Sequence, residues 1–170
     1  MQDNSRRTFL KTLALAGIGS QVLLLSNCTP LEPWPNISAD KISPEQAYII
    51  LNIQEVLFPD DGNGPSNKEI QSFEHLLWKI SPAYSDEKYI NFFHKGLQAV
   101  EQKVSESIQK DMRALTAENW ETIVLLLNQD KLTHNWLSGM LTTILEALTL
   151  DPIYGINTNA SGWNWLEHQT

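Results

Sequence analysis

The chain has 170 residues, enough for one compact core, and its apolar fraction of 42% with six tryptophans indicates a folded domain rather than a disordered one. Its formal net charge is −8 at pH 7, so its surface repels nucleic acid phosphates and anionic lipid head groups, and we expect neither as a partner. A single cysteine, Cys28, excludes an internal disulfide.

Residues 1–28 have the anatomy of an export signal. The sequence S-R-R-T-F-L-K at 5–11 is basic, and a moderately apolar run follows at 12–25. That run is too short and too diluted by glycine and polar residues for a membrane span of about 20 apolar residues. Every position of the pattern S-R-R-x-F-L-K is met, so the segment resembles a bacterial twin-arginine signal, which exports folded proteins to the periplasm. The alternative is a chance arginine pair ahead of an ordinary secretory signal. The predicted recognition residues are Arg6, Arg7, Phe9 and Leu10.

The end of this signal resembles a bacterial lipobox. In Leu25-Ser26-Asn27-Cys28 the first two residues fit the pattern, whereas Asn27 stands where Gly, Ala or Ser is expected. Cys28 is therefore a candidate for lipidation, which would give the periplasmic protein a membrane anchor, and the alternative is a thiol with no role. The signal holds three of the twelve basic and one of the twenty acidic residues, so the mature chain would have a net charge near −10.

Three prolines in 29–42 predict an extended tether, and we assign 43–170 to the folded domain. Its first helix has a clear start, because Ser43 can cap it, Pro44 suits the first turn, and Gln46 can complete a capping box. Pro59 is predicted to end this helix.

The loop at 60–65 has oxygen ligands that suit calcium. Asp60, Asp61 and Asn63 lie there beside two glycines. A twelve-residue calcium loop needs ligands at alternate positions and a bidentate glutamate at its end, but Pro65 interrupts this loop and Glu69 comes too early. We expect a solvated turn rather than a calcium site.

Four more helices follow from apolar residues at three-to-four spacing. We place them at about 68–80, at 86–109 after a Ser85 cap, after a Thr116 cap, and from near Thr133 to Leu150. No segment alternates with the period of a strand. The prediction is an all-α fold, a compact bundle of about five helices with an irregular C-terminal tail rich in aromatic residues and glycine.

The chain lacks the common motifs of catalysis and cofactor binding. It has no C-x-x-C-H haem motif, no phosphate-binding glycine loop after a strand, no G-x-S-x-G and no H-E-x-x-H. Histidines 75, 94, 134 and 168 could converge on a metal, but they are scattered without ligand spacing. We expect no catalytic, cofactor-binding or metal-binding residue in this chain, and an enzyme built from scattered residues is the hypothesis that we rank last.

The tail is unusual in composition. It reads D-P-I-Y-G-I-N at 151–157 and G-W-N-W at 162–165, with many aromatic residues and little charge. Tyr154, Trp163 and Trp165 could fold back over the open end of the bundle, or they could be interface anchors. The candidate interface residues are Asp151, Pro152, Tyr154, Gly155, Asn157, Gly162, Trp163 and Trp165.

The pattern D-P-x-Y-G-x-N followed by G-W, after an amphipathic helix and behind a twin-arginine signal, resembles the small subunit (subunit 3, or gamma) of the gluconate 2-dehydrogenase family. Ile156 stands where a closer family form has a second glycine. The resemblance implies a small subunit without a redox group, which carries the export signal and escorts a large catalytic subunit. FAD would lie on that large subunit and c-type haem on a multihaem cytochrome c subunit.

The sequence therefore supports two main hypotheses. The first is a non-catalytic accessory subunit of a periplasmic flavin-dependent sugar or sugar-acid dehydrogenase. The second is a stand-alone periplasmic helical lipoprotein that binds a ligand or an envelope protein.

Overall fold

A computed structural model describes residues 42–107 and 111–167, and over these residues the fold is all-α, with no strand. Several predicted features lie outside the described residues: the export signal, Cys28, the tether up to residue 41, the end of the third helix at Gln109, and His168. The six helices are α1 (Pro44–Leu57), α2 (Ser72–Lys79), α3 (Glu87–Ser107), α4 (Ala117–Leu127), α5 (Lys131–Thr149) and α6 (Ser161–Trp165). Short 3-10 turns lie at Met112–Ala114 and Pro152–Tyr154. Within the described ranges, no helix is both long enough and apolar enough to span a membrane.

Two predicted helix starts are confirmed by their capping hydrogen bonds. At α1 the Ser43 hydroxyl accepts from the Gln46 amide at 3.2 Å, and the Gln46 side-chain oxygen accepts from the Ser43 amide at 3.1 Å. Thr116 and Asn119 form the same reciprocal pair at the start of α4. Each pair satisfies backbone donors that the first helical turn leaves without partners.

The predicted start of the second helix is wrong by one turn. Residues 67–71 form turns, and Gln71 has a left-handed φ of 56° immediately before α2 begins at Ser72. The Asn67 side-chain amide donates to the carbonyls of Gln54 and Phe58, at 3.0 and 2.7 Å. These two bonds tie the turn to the end of α1, so the local apolar spacing does not extend the helix.

The cap of α3 and the start of α5 also differ from the predicted ones. The Asp86 carboxylate, rather than Ser85, accepts from a first-turn amide of α3, that of Tyr89, at 2.8 Å. The Asp130 carboxylate accepts from the amides of Leu132 and Thr133, so α5 begins two residues before the predicted start. Aspartate is a strong helix cap, and its negative charge suits a helix N-terminus.

Helix α5 is the central element, since it packs against all five other helices. Its buried Trp136 lies against α3, where the indole N–H donates to the Phe93 carbonyl at 3.2 Å. This approach requires glycine at position 96, because a Cβ there would lie 2.3 Å from the Trp136 ring. The arrangement leaves the C-terminal end of α5 to be covered by the tail.

Candidate functional site

The tail starts with a tight turn that its own sequence encodes. The Asp151 carboxylate accepts from the Ile153 amide at 2.9 Å and starts the 3-10 turn, in which Pro152 takes the first position. Gly155 ends the turn with a φ of 80°, which is favourable for glycine and strained for other residues. The aspartate, proline and glycine of the D-P-x-Y-G motif therefore have a structural explanation within this chain.

Asn157 joins the tail to the end of α5. It is fully buried, and its side-chain amide donates to the carbonyls of Leu148 and Leu150, at 3.4 and 3.3 Å. Its side-chain oxygen accepts from the Gly162 amide at 3.0 Å. Its backbone has a φ of 54°, a conformation that asparagine tolerates better than most residues. Asn157 thus binds both ends of the loop between α5 and α6.

Gly162 allows α6 to lie directly on the end of α5. A Cβ at this position would lie 1.9 Å from the Leu148 carbonyl oxygen. Next to it, the Trp163 indole N–H donates to the Thr149 carbonyl at 2.8 Å. Close contact of backbone with backbone therefore requires glycine at 162.

Trp165 extends this closure to the loop between α1 and α2. Its indole N–H donates to the Asn63 carbonyl at 2.6 Å, and its ring packs edge-on against Phe58 with 6.2 Å between centroids. The Thr158 amide donates to the Gln71 side chain at 3.2 Å. Trp163 and Trp165 therefore fold back over the bundle, which is the structural alternative drawn from the sequence.

Tyr154 does not fold back. Its side chain is 68% exposed, and that of Ile153 is 82% exposed. Of the candidate interface residues, only Asn157 and Gly162 are buried, and they hold the loop. Tyr154 is the most exposed of the aromatic candidates, where a partner could reach it, and beside it lies Ile153, which the sequence did not single out.

A second polar cluster lies between α2 and α5. One carboxylate oxygen of Glu146 contacts two side chains of α2. It lies 3.3 Å from the His75 Nε2 atom and 2.5 Å from the Lys79 ammonium. His75 is only 2% exposed, and its Nδ1 atom has no hydrogen-bond partner. The ring of Trp78 packs beside it at 5.7 Å and stacks on Tyr84 at 4.0 Å.

The charges in this cluster follow from burial and pairing. Burial lowers the pKa of His75 below its usual 6.5, more than the hydrogen bond to Glu146 raises it. Burial by itself raises the pKa of Glu146, but hydrogen bonds from Lys79 and His75 outweigh it, and the pKa is lowered overall. Near neutral pH the cluster is therefore a neutral histidine beside a Lys–Glu ion pair.

The sequence left two metal hypotheses, the scattered histidines and the loop at 60–65. Within 42–107 and 111–167, no three His, Cys, Asp or Glu side chains lie close enough to hold a metal ion. His134 contacts Asn128 at 2.7 Å, far along the chain from His75. In the loop at 60–65, the Asp61 carboxylate accepts from the Asn63 amide at 2.9 Å, which is the bond of a local turn.

Neither the cluster nor the role of Asn157 was visible in the sequence. His75 and Glu146 are 71 residues apart in the chain, and no motif links them. Asn157 did stand out, but as a member of a family-like motif rather than as a buried clamp. Comparison of the chain with protein-family models, curated proteins and solved structures finds no match.

Proposed function

We propose that this chain is a non-catalytic accessory subunit of a periplasmic, FAD-dependent sugar or sugar-acid dehydrogenase. It carries the export signal and escorts the catalytic subunit across the membrane in folded form. FAD belongs to the large subunit, and c-type haem belongs to a multihaem cytochrome c subunit of the same complex.

The observation that carries this proposal is the joint presence of the signal at 5–11 and the tail motif at 151–165 in one small chain. A signal that exports folded proteins is useful to a partner that must bind its flavin before export. The tail supports the same conclusion, because its buried Asn157 fixes a loop from which Tyr154 is exposed. Exposed aromatic residues on a fixed frame are typical anchors of protein interfaces.

The test is to replace Arg6 and Arg7 by lysine in the native host and to fractionate the cells. The expected result is sugar or sugar-acid dehydrogenase activity retained in the cytoplasm, with about a tenth or less of it left in the periplasm. Replacing Lys41 by arginine, outside the signal, is the matched control and leaves export intact. Normal export of the activity in the double variant would contradict the escort role.

The lipobox-like residues 25–28 favour a second candidate, a stand-alone periplasmic helical lipoprotein. It predicts a diacylated Cys28 and a monomer that purifies without flavoprotein. Mass spectrometry of the mature N-terminus tests the lipid, and an unmodified Cys28 removes this candidate. A lipidated Cys28 together with a bound flavoprotein fits the accessory subunit, anchored at the membrane.

A further inference from the structure

Two neighbouring side chains in the tail are the most exposed large apolar groups of the described residues. Ile153 is 82% and Tyr154 is 68% exposed, ahead of Tyr84 at 50%. Both lie in the 3-10 turn that follows α5. Single exposed apolar side chains are common on protein surfaces, but two adjacent ones at the tip of one turn make a protruding apolar contact.

The turn that carries them is fixed before any partner binds. Asp151 holds its start, Gly155 ends it, and Asn157 ties the following residues to the carbonyls of Leu148 and Leu150. Little conformational entropy is then lost when Ile153 and Tyr154 become buried. A preorganised tip of this kind suits insertion into a pocket.

The charges around the tip indicate what kind of surface it meets. From 132 to 167 the chain has no lysine or arginine, and because Glu146 is paired with Lys79, the remaining charged residues are Asp151, in the turn itself, and Glu167, in a chain whose net charge is −8. An apolar tip within an acidic surface is repelled by anionic bilayers and by a second copy of the same surface, and it is complementary to an apolar pocket with a basic rim.

We infer that Ile153 and Tyr154 insert together into an apolar pocket with a basic rim on the large flavin-dependent catalytic subunit. This inference rests on the proposed function and narrows it to two side chains. Asn157, Gly162 and Trp163 hold the tip in place, and Trp165 joins the tail to the loop between α1 and α2. The acidic surroundings speed association, and the two apolar side chains slow dissociation.

The test compares variants of the full-length tagged chain in a native host that lacks its own copy. The double variant Ile153→Ser, Tyr154→Ser removes the tip. The matched control is Leu125→Ser, Leu126→Ser, which removes two adjacent exposed apolar side chains, 41% and 45% exposed, from α4. Flavin bound per chain and sugar-dependent dye reduction are measured on each purified sample, and circular dichroism checks that both variants are folded.

The expected result is affinity for the flavoprotein about 100-fold weaker in the tip variant and unchanged in the control. Association of the wild-type complex also slows as salt is raised. If the tip variant keeps its flavoprotein, or if both variants lose it equally, the inference fails while the accessory function stands. If the wild-type chain brings down no flavoprotein, both fail. If the tip variant differs from the wild type only in self-association or only in binding to phosphatidylglycerol vesicles, the tip binds a second copy of the chain or a membrane, and the inference is overturned.

Discussion

The Nε2 atom of His75 lies 3.3 Å from a carboxylate oxygen of Glu146, and this contact joins α2 to α5. Lys79 contacts the same oxygen, so one carboxylate holds two basic side chains of α2. The His75 side chain is almost completely buried, whereas that of its partner Glu146 is 42% exposed. Acid therefore acts on this junction first through the buried histidine.

We expect the free energy of unfolding to decrease as pH falls below about 6.5, the usual pKa of histidine. The pKa of His75 is lowered by burial, so the unfolded chain takes up this proton before the folded one does, and acid favours unfolding. Glu146 adds a second loss in the same direction below its usual 4.5, because its pKa is also lowered in the folded chain. Urea unfolding measured between pH 8 and pH 4, at about one-unit steps, checks this.

The variant His75→Gln separates the histidine from other acid effects. It removes the titrating group, so the free energy of unfolding should decrease less between about pH 7 and pH 5 than in the wild-type protein. His134→Gln, at an exposed histidine, is the control and keeps the wild-type dependence. Equal pH dependence in all three proteins would show that His75 does not control acid stability.

Replacing Asn157 by aspartate is expected to lower the free energy of unfolding by about 2–3 kcal/mol. The change keeps the size of the side chain but removes the N–H donors that serve the carbonyls of Leu148 and Leu150. Asn159→Asp makes the same chemical change at an exposed position two residues further on, and it should alter stability by less than about 0.5 kcal/mol. Equilibrium urea unfolding measures both, and equal effects would mean that the buried clamp is not needed.

A methyl group at position 162 should detach α6 from α5. Gly162→Ala places a Cβ 1.9 Å from the Leu148 carbonyl oxygen. The backbone must shift to avoid this clash, and we expect the shift to lower the free energy of unfolding by about 1–3 kcal/mol. Hydrogen exchange of the amides in α6 should also become faster, because the helix loses its contact with α5.

Gly139→Ala is the matched change within α5. Nothing lies within 4 Å of a Cβ built at this position, so alanine should stabilise the helix by up to about 1 kcal/mol. The two substitutions are chemically identical and differ only in the space around them. If Gly162→Ala were as well tolerated as Gly139→Ala, the close packing of α6 would be refuted.

Local patterns predicted α1 to α5, whereas the short helix α6 lies in the tail that was predicted to be irregular, and tertiary contacts explain most of the differences. The start of α1 and that of α4 were predictable because each cap lies within three residues of its partner. The start of α2 was not predictable, because the Asn67 side chain donates to the carbonyls of Gln54 and Phe58, 13 and 9 residues earlier in the chain. The role of Asn157 and the His75–Glu146 contact depend on the same kind of long-range packing.

Purification of the chain with its partner tests the proposed escort function most directly. The tagged full-length chain is purified from the envelope of its native host, and the mass, the flavin content and the sugar dehydrogenase activity of the preparation are measured. The escort function predicts that a flavoprotein co-purifies with the chain, and that the small chain, once separated and assayed alone, has no dehydrogenase activity. A chain that purifies as a monomer without flavin, or that oxidises a sugar by itself, would contradict it.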